Sequence, residues 1–170
     1  MKSLTCIITI TESASISADD AAKYIAQDEV LFEAVQDYVY ENEGDLIDNP
    51  EISNRFIKLL QSVIPFQENN WLVRGANDAG NRVWSSWTYG EDTAKTFAQQ
   101  NSSSILIHEP PYKGISLARI NEWHHELYNS NMGSGHQGEV FLLHDETKID
   151  HYTPSEPNAR LPNNFRPNQP

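Results

Sequence analysis

The chain has 170 residues, 38% of them apolar, with four Trp, seven Tyr and six Phe, which suits one domain with a sizeable core. The net charge of -12 argues against a protein that grips nucleic acid through its phosphates; it leaves open an acidic face for a basic partner, or simple solubility. No stretch has the apolar length of a membrane span, so no membrane partner is expected.

Residues 4–10 are β-branched and loosely alternating, which predicts a first strand. The same stretch makes a poor signal peptide, because Thr5 and Thr9 break its apolar run. Cys6 is the lone cysteine and has no internal disulfide partner, which fits a reducing compartment. Ser17 and Asp20 have the spacing of a capping box, hydroxyl and carboxylate each serving a free backbone N–H. Ala21, Ala22, Ile25, Phe32, Val35 and Val39 then recur at helical spacing. They predict one or two helices over residues 18–42, with Asp28 at a phase slip where a second helix can be capped. Residues 43–45 end that stretch. Asn49-Pro50 supplies a cap and a first-turn proline; Ile52, Phe56, Leu59, Leu60 and Val63 line the next helix, and Pro65 stops it. This first part is a helical lobe whose pattern core packing explains.

Residues 70–74 and 83–88 read as strands rich in aromatic and β-branched side chains. Residues 91–99 read as a helix with Ala94, Phe97 and Ala98 inward, and residues 105–107 as a short buried strand. A proline-fixed loop occupies residues 108–114. Residues 115–127 suit a helix through Leu117, Ile120, Trp123, His124 and Leu127, while Ile115-Ser116-Leu117 also suits a strand. The Gly-, Ser- and Asn-rich residues 129–138 are an exposed mobile loop. Residues 139–144 form a strand, with residues 149–152 as its antiparallel neighbour. From residue 153 on there are five prolines, four asparagines and few apolar residues, so that tail is extended or disordered.

Three places along this order can carry chemistry. Arg74 ends an apolar strand and is followed by Gly75. A guanidinium fork suits a diphosphate, and a glycine lets a ligand approach the backbone; taken alone, Arg74 is also simply a surface arginine closing a strand. Ser86 and Thr88 lie two apart on one strand and so share a face with Trp84, while Ser85 and Trp87 take the other. Glu139 opens an apolar strand directly after a flexible loop, with Gln137 two residues before it. The histidines show no ligand spacing, so no metal site is predicted. No Gly-x-Gly-x-x-Gly follows a strand, and no nucleophile elbow is present.

An arginine, a strand serine and a Gln-x-Glu in this order resemble the Arg-Ser-Glu signature of mono-ADP-ribosyltransferases, which cleave NAD. The resemblance covers residues 70–152, and its strand triplet Ser86-Trp87-Thr88 departs from the commoner Ser-Thr-Ser. It implies that Arg74, Gly75, Ser86 and Thr88 bind NAD as co-substrate. Ser86 would position Glu139, the catalytic carboxylate that stabilises positive charge on the ribose as nicotinamide leaves. Gln137, in place of the glutamate of arginine-modifying members, implies a non-arginine acceptor, an asparagine-like side chain of a host protein being favoured over nucleic acid. The implied fold is α+β, with a helical part at residues 1–68, then two small packed β-sheets at residues 69–152 with the NAD cleft between them, and the tail at residues 153–170. A single domain of this kind is similar to bacteriophage or intracellular members, which implies the cytoplasm, of the host if phage-encoded. An NAD glycohydrolase needs the same site, with water replacing the acceptor. A non-enzymatic acidic interaction or inhibitor protein is the rival of another class.

Overall fold

The computed structural model describes residues 15–41, 43–65, 71–78, 80, 82–101, 104–130, 138–154 and 161, so the strand expected at residues 4–10 lies outside the described residues. The helical lobe is built on the caps that its sequence contains. Helix α1 (Ala18–Gln27) starts at Ser17, whose hydroxyl accepts from the Asp20 N–H at 3.0 Å. The Asp20 carboxylate does not serve a backbone N–H, as a full capping box requires; it takes the Ser17 hydroxyl proton at 2.7 Å instead. Asp28 ends α1 and opens α2 (Glu29–Glu41), accepting from the Leu31 N–H at 3.0 Å. Its other carboxylate oxygen pairs with Arg55 of α4 (Pro50–Ser62), tying the break between the first two helices to the fourth. Asn49 caps α4 through the Glu51 N–H at 3.1 Å, with Pro50 in the first turn. Each such cap stabilises its helix by about 1 kcal/mol. A short helix α3 (Asp45–Asp48), absent from the sequence reading, follows Gly44 at a φ of 100°.

Six strands form one antiparallel sheet in the order β4-β5-β2-β1-β3-β6. They are β1 (Leu72–Gly75), β2 (Trp84–Thr88), β3 (Ile105–His108), β4 (Lys113–Ser116), β5 (Glu139–Leu143) and β6 (Ile149–Tyr152). This corrects the expectation of two packed sheets. The two halves, β4-β5-β2 and β1-β3-β6, are hydrogen-bonded to each other, but their joint is the single register pair Val73↔Thr88. The other joints are long: β2 and β5, for example, stay in register from Trp84↔Leu143 to Thr88↔Glu139. The strand at residues 149–152 does not neighbour β5, both of whose edges are taken by β2 and β4; it runs back to cover the edge of β3. Residues 115–127 satisfy both of their readings in turn, closing β4 and then forming α6 (Leu117–Tyr128).

One face of β2 and β5 carries the lobe. Phe56 of α4 meets Trp84 at 4.9 Å and Phe141 at 5.6 Å, both edge to face, and Tyr38 of α2 meets Trp84 at 5.2 Å in the same manner. Phe56, Trp84 and Phe141 are essentially buried. Contacts of this geometry each contribute about 0.5–1.5 kcal/mol beyond their buried area. Helix α6 is pinned to α1 by Asp19, which accepts from Arg119 Nε at 2.7 Å and from Trp123 Nε1 at 3.1 Å. Helix α5 (Glu91–Asn101) lies on β1 through Ala94 and Ala98, whereas Phe97, expected inward, is 53% exposed. Small residues let α5 come too close to β1 for a phenyl ring to fit between them. Leu161 is also buried, in the same cluster, and its N–H donates to Glu91 at 2.8 Å, so at this residue the tail is packed on the core. Among the described residues no helix is long and apolar enough to cross a membrane.

The opposite face of the sheet holds two histidines, His108 buried and His144 half-buried. His108 is fully buried; its Nδ1–H donates to the Glu109 carbonyl at 2.8 Å and its Nε2 accepts from the Asp145 N–H at 3.3 Å. His144 lies beside Ser85, its Nε2 hydrogen-bonded to the Ser85 hydroxyl. Burial is the chief cause that pushes both rings below the ordinary value of 6.5, His144 to about 4. The unfolded chain therefore binds more protons than the folded one below about pH 6.5. Their contribution to stability is present above that pH and is lost as pH falls toward 4. Chemical denaturation between pH 7.5 and 4.5 is expected to show a midpoint that falls with pH, more steeply for the native chain than for His144→Gln. Parallel curves would mean that His144 does not link folding to protons.

Candidate active site

The site is set where the sheet parts. If the antiparallel register at Val73↔Thr88 continued, Gly75 would lie opposite Ser86, but β1 and β2 diverge before that point. The Ser86 carbonyl is then left without a strand partner on that side. Arg74 supplies one: its Nη1 donates to the Ser86 oxygen at 2.6 Å. A side chain here replaces a ladder hydrogen bond and holds the parting open. Burial is the main reason that the guanidinium pKa is lowered, with the nearby Arg82 adding to it and Tyr38, Glu139 and Asp78 opposing it. Arg74 Nε is buried and has no hydrogen-bond partner among the described residues. A buried donor left unpaired costs about 1–3 kcal/mol, a cost that an arriving acceptor removes.

The carboxylate arrives from the other side of β2. Gly138, at a φ of 96°, turns the chain into β5, and its carbonyl accepts from the Tyr89 N–H at 3.3 Å. Glu139 then stands opposite Thr88, diagonal to Ser86 on the same face, and the Ser86 hydroxyl donates to its Oε1. Strand alternation therefore does what the sequence spacing predicts: Trp84, Ser86 and Thr88 share one face, and Ser85 and Trp87 take the other. On that other face Trp87 Nε1 donates to Ser85 Oγ at 2.9 Å, and Ser85 in turn meets His144. Thr88 Oγ1 accepts from the Gly90 N–H at 3.0 Å, turning the chain toward α5.

Arg74, Ser86, Thr88 and Glu139 are thus brought together. Gln137 lies outside the described residues. Gly75 has a packing reason to lack a side chain. A Cβ there would stand 2.2 Å from the Ala94 carbonyl oxygen and 2.5 Å from the Ala98 nitrogen, so the missing side chain makes room for the backbone of α5. The sequence reading missed three contributors. Tyr38, on α2 of the lobe, packs edge to face on Trp84 beside the site and carries no local motif. Arg82, just before β2, is marked only by being basic in an acidic chain. His144 continues the alternation of Val140 and Leu142, which places it with Ser85. Among the described residues no group of three or more His, Cys, Asp and Glu side chains is gathered to hold a metal.

Chemically, the arrangement offers a directed carboxylate, a hydroxyl that fixes its orientation, and a buried cation with an unused donor. No protein-family model, curated protein or solved structure matches the chain.

Gly75→Ala is expected to destabilise the fold by about 1–3 kcal/mol or more, because a backbone helix turn cannot step aside as a flexible side chain can. Denaturation midpoints of the variant and the native chain measure this. Equal midpoints would show that α5 is not held against β1 as closely as described.

Proposed function

We propose that the chain is an NAD-dependent mono-ADP-ribosyltransferase acting on a non-arginine acceptor. The observation that carries the proposal is the hydrogen bond from Ser86 to Glu139, beside a half-buried arginine that has no ion-pair partner among the described residues. These residues fit NAD: a carboxylate and hydroxyl suit a ribose, and a guanidinium with an unsatisfied donor suits a diphosphate. The reaction breaks the bond between nicotinamide and the ribose carbon, and nicotinamide leaves with the electron pair. Positive charge then grows on the ribose. Glu139 is suited to accept a hydrogen bond from the ribose 2′-hydroxyl, so that its negative charge stabilises the developing cation. Ser86 keeps that carboxylate from turning away. The acceptor's nucleophilic atom forms the new bond to the same carbon and releases its proton to solvent.

The choice of acceptor rests on Gln137, from the resemblance alone. A carboxamide can donate one hydrogen bond and accept another, so it can align an amide side chain. It cannot take a proton from a guanidinium, whose pKa exceeds about 12.

Glu139→Gln is expected to lower transfer by at least about 10²-fold, read as nicotinamide released from NAD in the presence of host lysate. Unchanged turnover in a folded variant would remove Glu139 from the chemistry, and no nicotinamide release by the native chain would favour a binding protein. Gln137→Ala should lose transfer while keeping slow NAD hydrolysis. Nicotinamide release by the native chain that is fast without any lysate, and leaves no ADP-ribose on protein, would reassign the site to hydrolysis. Mass spectrometry that finds ADP-ribose on arginine would overturn the acceptor assignment.

A further inference from the structure

Away from the site, the helical lobe turns one helix face to solvent. Helix α2 buries Leu31, Phe32, Ala34, Val35 and Tyr38, and Tyr38 packs on Trp84 of the sheet. Two large apolar residues stand on its outer side: Val30 is 49% exposed and Tyr40 61%. At 3.6 residues per turn, positions 29, 30, 33, 37, 40 and 41 fall within about a third of the helix circumference. Val30 and Tyr40 therefore share this face with Glu29, Glu33, Asp37 and Glu41, all of them exposed.

The four carboxylates recur at steps of four residues, which makes each a neighbour of the next. Like charges at that spacing weaken a helix, and Glu41 in the last turn also opposes the helix dipole. Elsewhere the chain uses such spacings for stability. Glu91 and Lys95 pair at 2.7 Å along α5, and Arg119 pairs with Glu122 along α6. None of the four carboxylates of α2 forms an ion pair among the described residues. Residues 28–51 contain nine of the chain's 24 acidic residues and no lysine, arginine or histidine. Solubility does not require acids to be stacked in this way, since scattered ones serve it as well.

The charge decides what can cover the apolar pair. A two-fold dimer through this face would set the stripe against itself, and nucleic acid or anionic lipid is repelled. Among the described residues no group of three or more His, Cys, Asp and Glu side chains is gathered for a metal. A cationic protein segment is complementary. Glu29 to Glu41 spans about 18 Å in steps of about 6 Å, and a helix with lysine or arginine at every fourth position has the same steps. We infer that the outer face of α2 docks a basic amphipathic helix of another protein. Its apolar residues cover Val30 and Tyr40, and its cations pair with the four carboxylates. The inference does not depend on the proposed activity; it holds for a transferase and for a binding protein alike.

The probe is a synthetic helical peptide with lysine at every fourth position and leucine beside it, titrated into the full chain. An oligolysine of equal charge is the comparison. The native chain is expected to bind the peptide about tenfold more tightly than oligolysine, and Val30→Ser with Tyr40→Ser should remove that preference. Glu33→Gln with Asp37→Asn should weaken peptide binding about tenfold. Glu126→Gln with Glu146→Gln, the same change in net charge at two other exposed positions, should leave it nearly unchanged. The Glu33→Gln, Asp37→Asn chain is also expected to melt above the native one, because repulsion along α2 is relieved. A lower melting point would show that these carboxylates serve the fold and would overturn the inference. Equal weakening by the two charge variants would reduce the binding to overall charge and overturn it too. So would a native chain that does not distinguish the peptide from oligolysine.

Discussion

The structure turns on the place where β1 and β2 stop pairing. Two central strands of a sheet would ordinarily run in register over their whole length, and their backbone groups would satisfy each other. Here the pairing is reduced to Val73↔Thr88, and an arginine side chain takes over beyond it. A guanidinium can donate in several directions from one plane, so Arg74 can hold the Ser86 carbonyl and still face a ligand. A backbone N–H in the same place could do only the first. Continuous pairing would leave a closed sheet with no crevice, and an unfilled gap would leave a carbonyl without a partner. The arginine resolves both.

That choice has an electrostatic consequence. The guanidinium is half-buried, where its charge is poorly solvated, and the compensating groups act on it by charge rather than as ion pairs among the described residues. A buried charge is tolerable when its remaining donors are met. The acidic balance of the whole chain lowers the cost somewhat, since a net charge of -12 makes the surroundings favourable to a cation. It also works against an approaching anion, so attraction must be local. This makes the relation of Arg74 to its neighbours more informative than the net charge, which by itself pointed to a basic partner or to nothing.

The helices were legible because their signals are short-range. Ser17, Asp28 and Asn49 cap backbone within three residues of themselves, and each does so in the structure. The faces of β2 were legible for the same reason, since alternation is a property of one strand. Strand neighbours were not. Nothing local in residues 149–152 says that both edges of β5 are already occupied, so the nearest strand in sequence was the natural but wrong partner. Phe97 was misread because its spacing suits a buried stripe, while the approach of α5 to Gly75 depends on a strand sixteen or more residues earlier. Gly75 was noticed as a place for a ligand to approach, and its contact with α5 was not foreseen for that reason. Arg74, Ser86 and Glu139 lie on three different strands, and only a resemblance, not periodicity, could group them in advance.

The register of β2 shows how the site and the fold specify each other. Residues 84–87 read Trp-Ser-Ser-Trp, so each face receives one tryptophan and one serine whichever way the strand is turned. The apolar pattern, which usually fixes register, therefore does not decide between the two. The polar partners do. Strand β5 brings Glu139 to one face, and His144 follows it on the other, five residues on, with opposite parity. In the observed register Ser86 meets the carboxylate, and Ser85 is shared between His144 and Trp87. A one-residue slip in one direction would put Trp84 where His144 now meets Ser85, and a slip in the other would put Trp87 where Glu139 now meets Ser86, so neither alternative serves both polar partners. Each unmet buried group would cost about 1–3 kcal/mol, more for the charged one. The same hydrogen bond that aims the candidate catalytic carboxylate thus helps to choose the register of the strand at the centre of the sheet. Selection on either role would preserve the other.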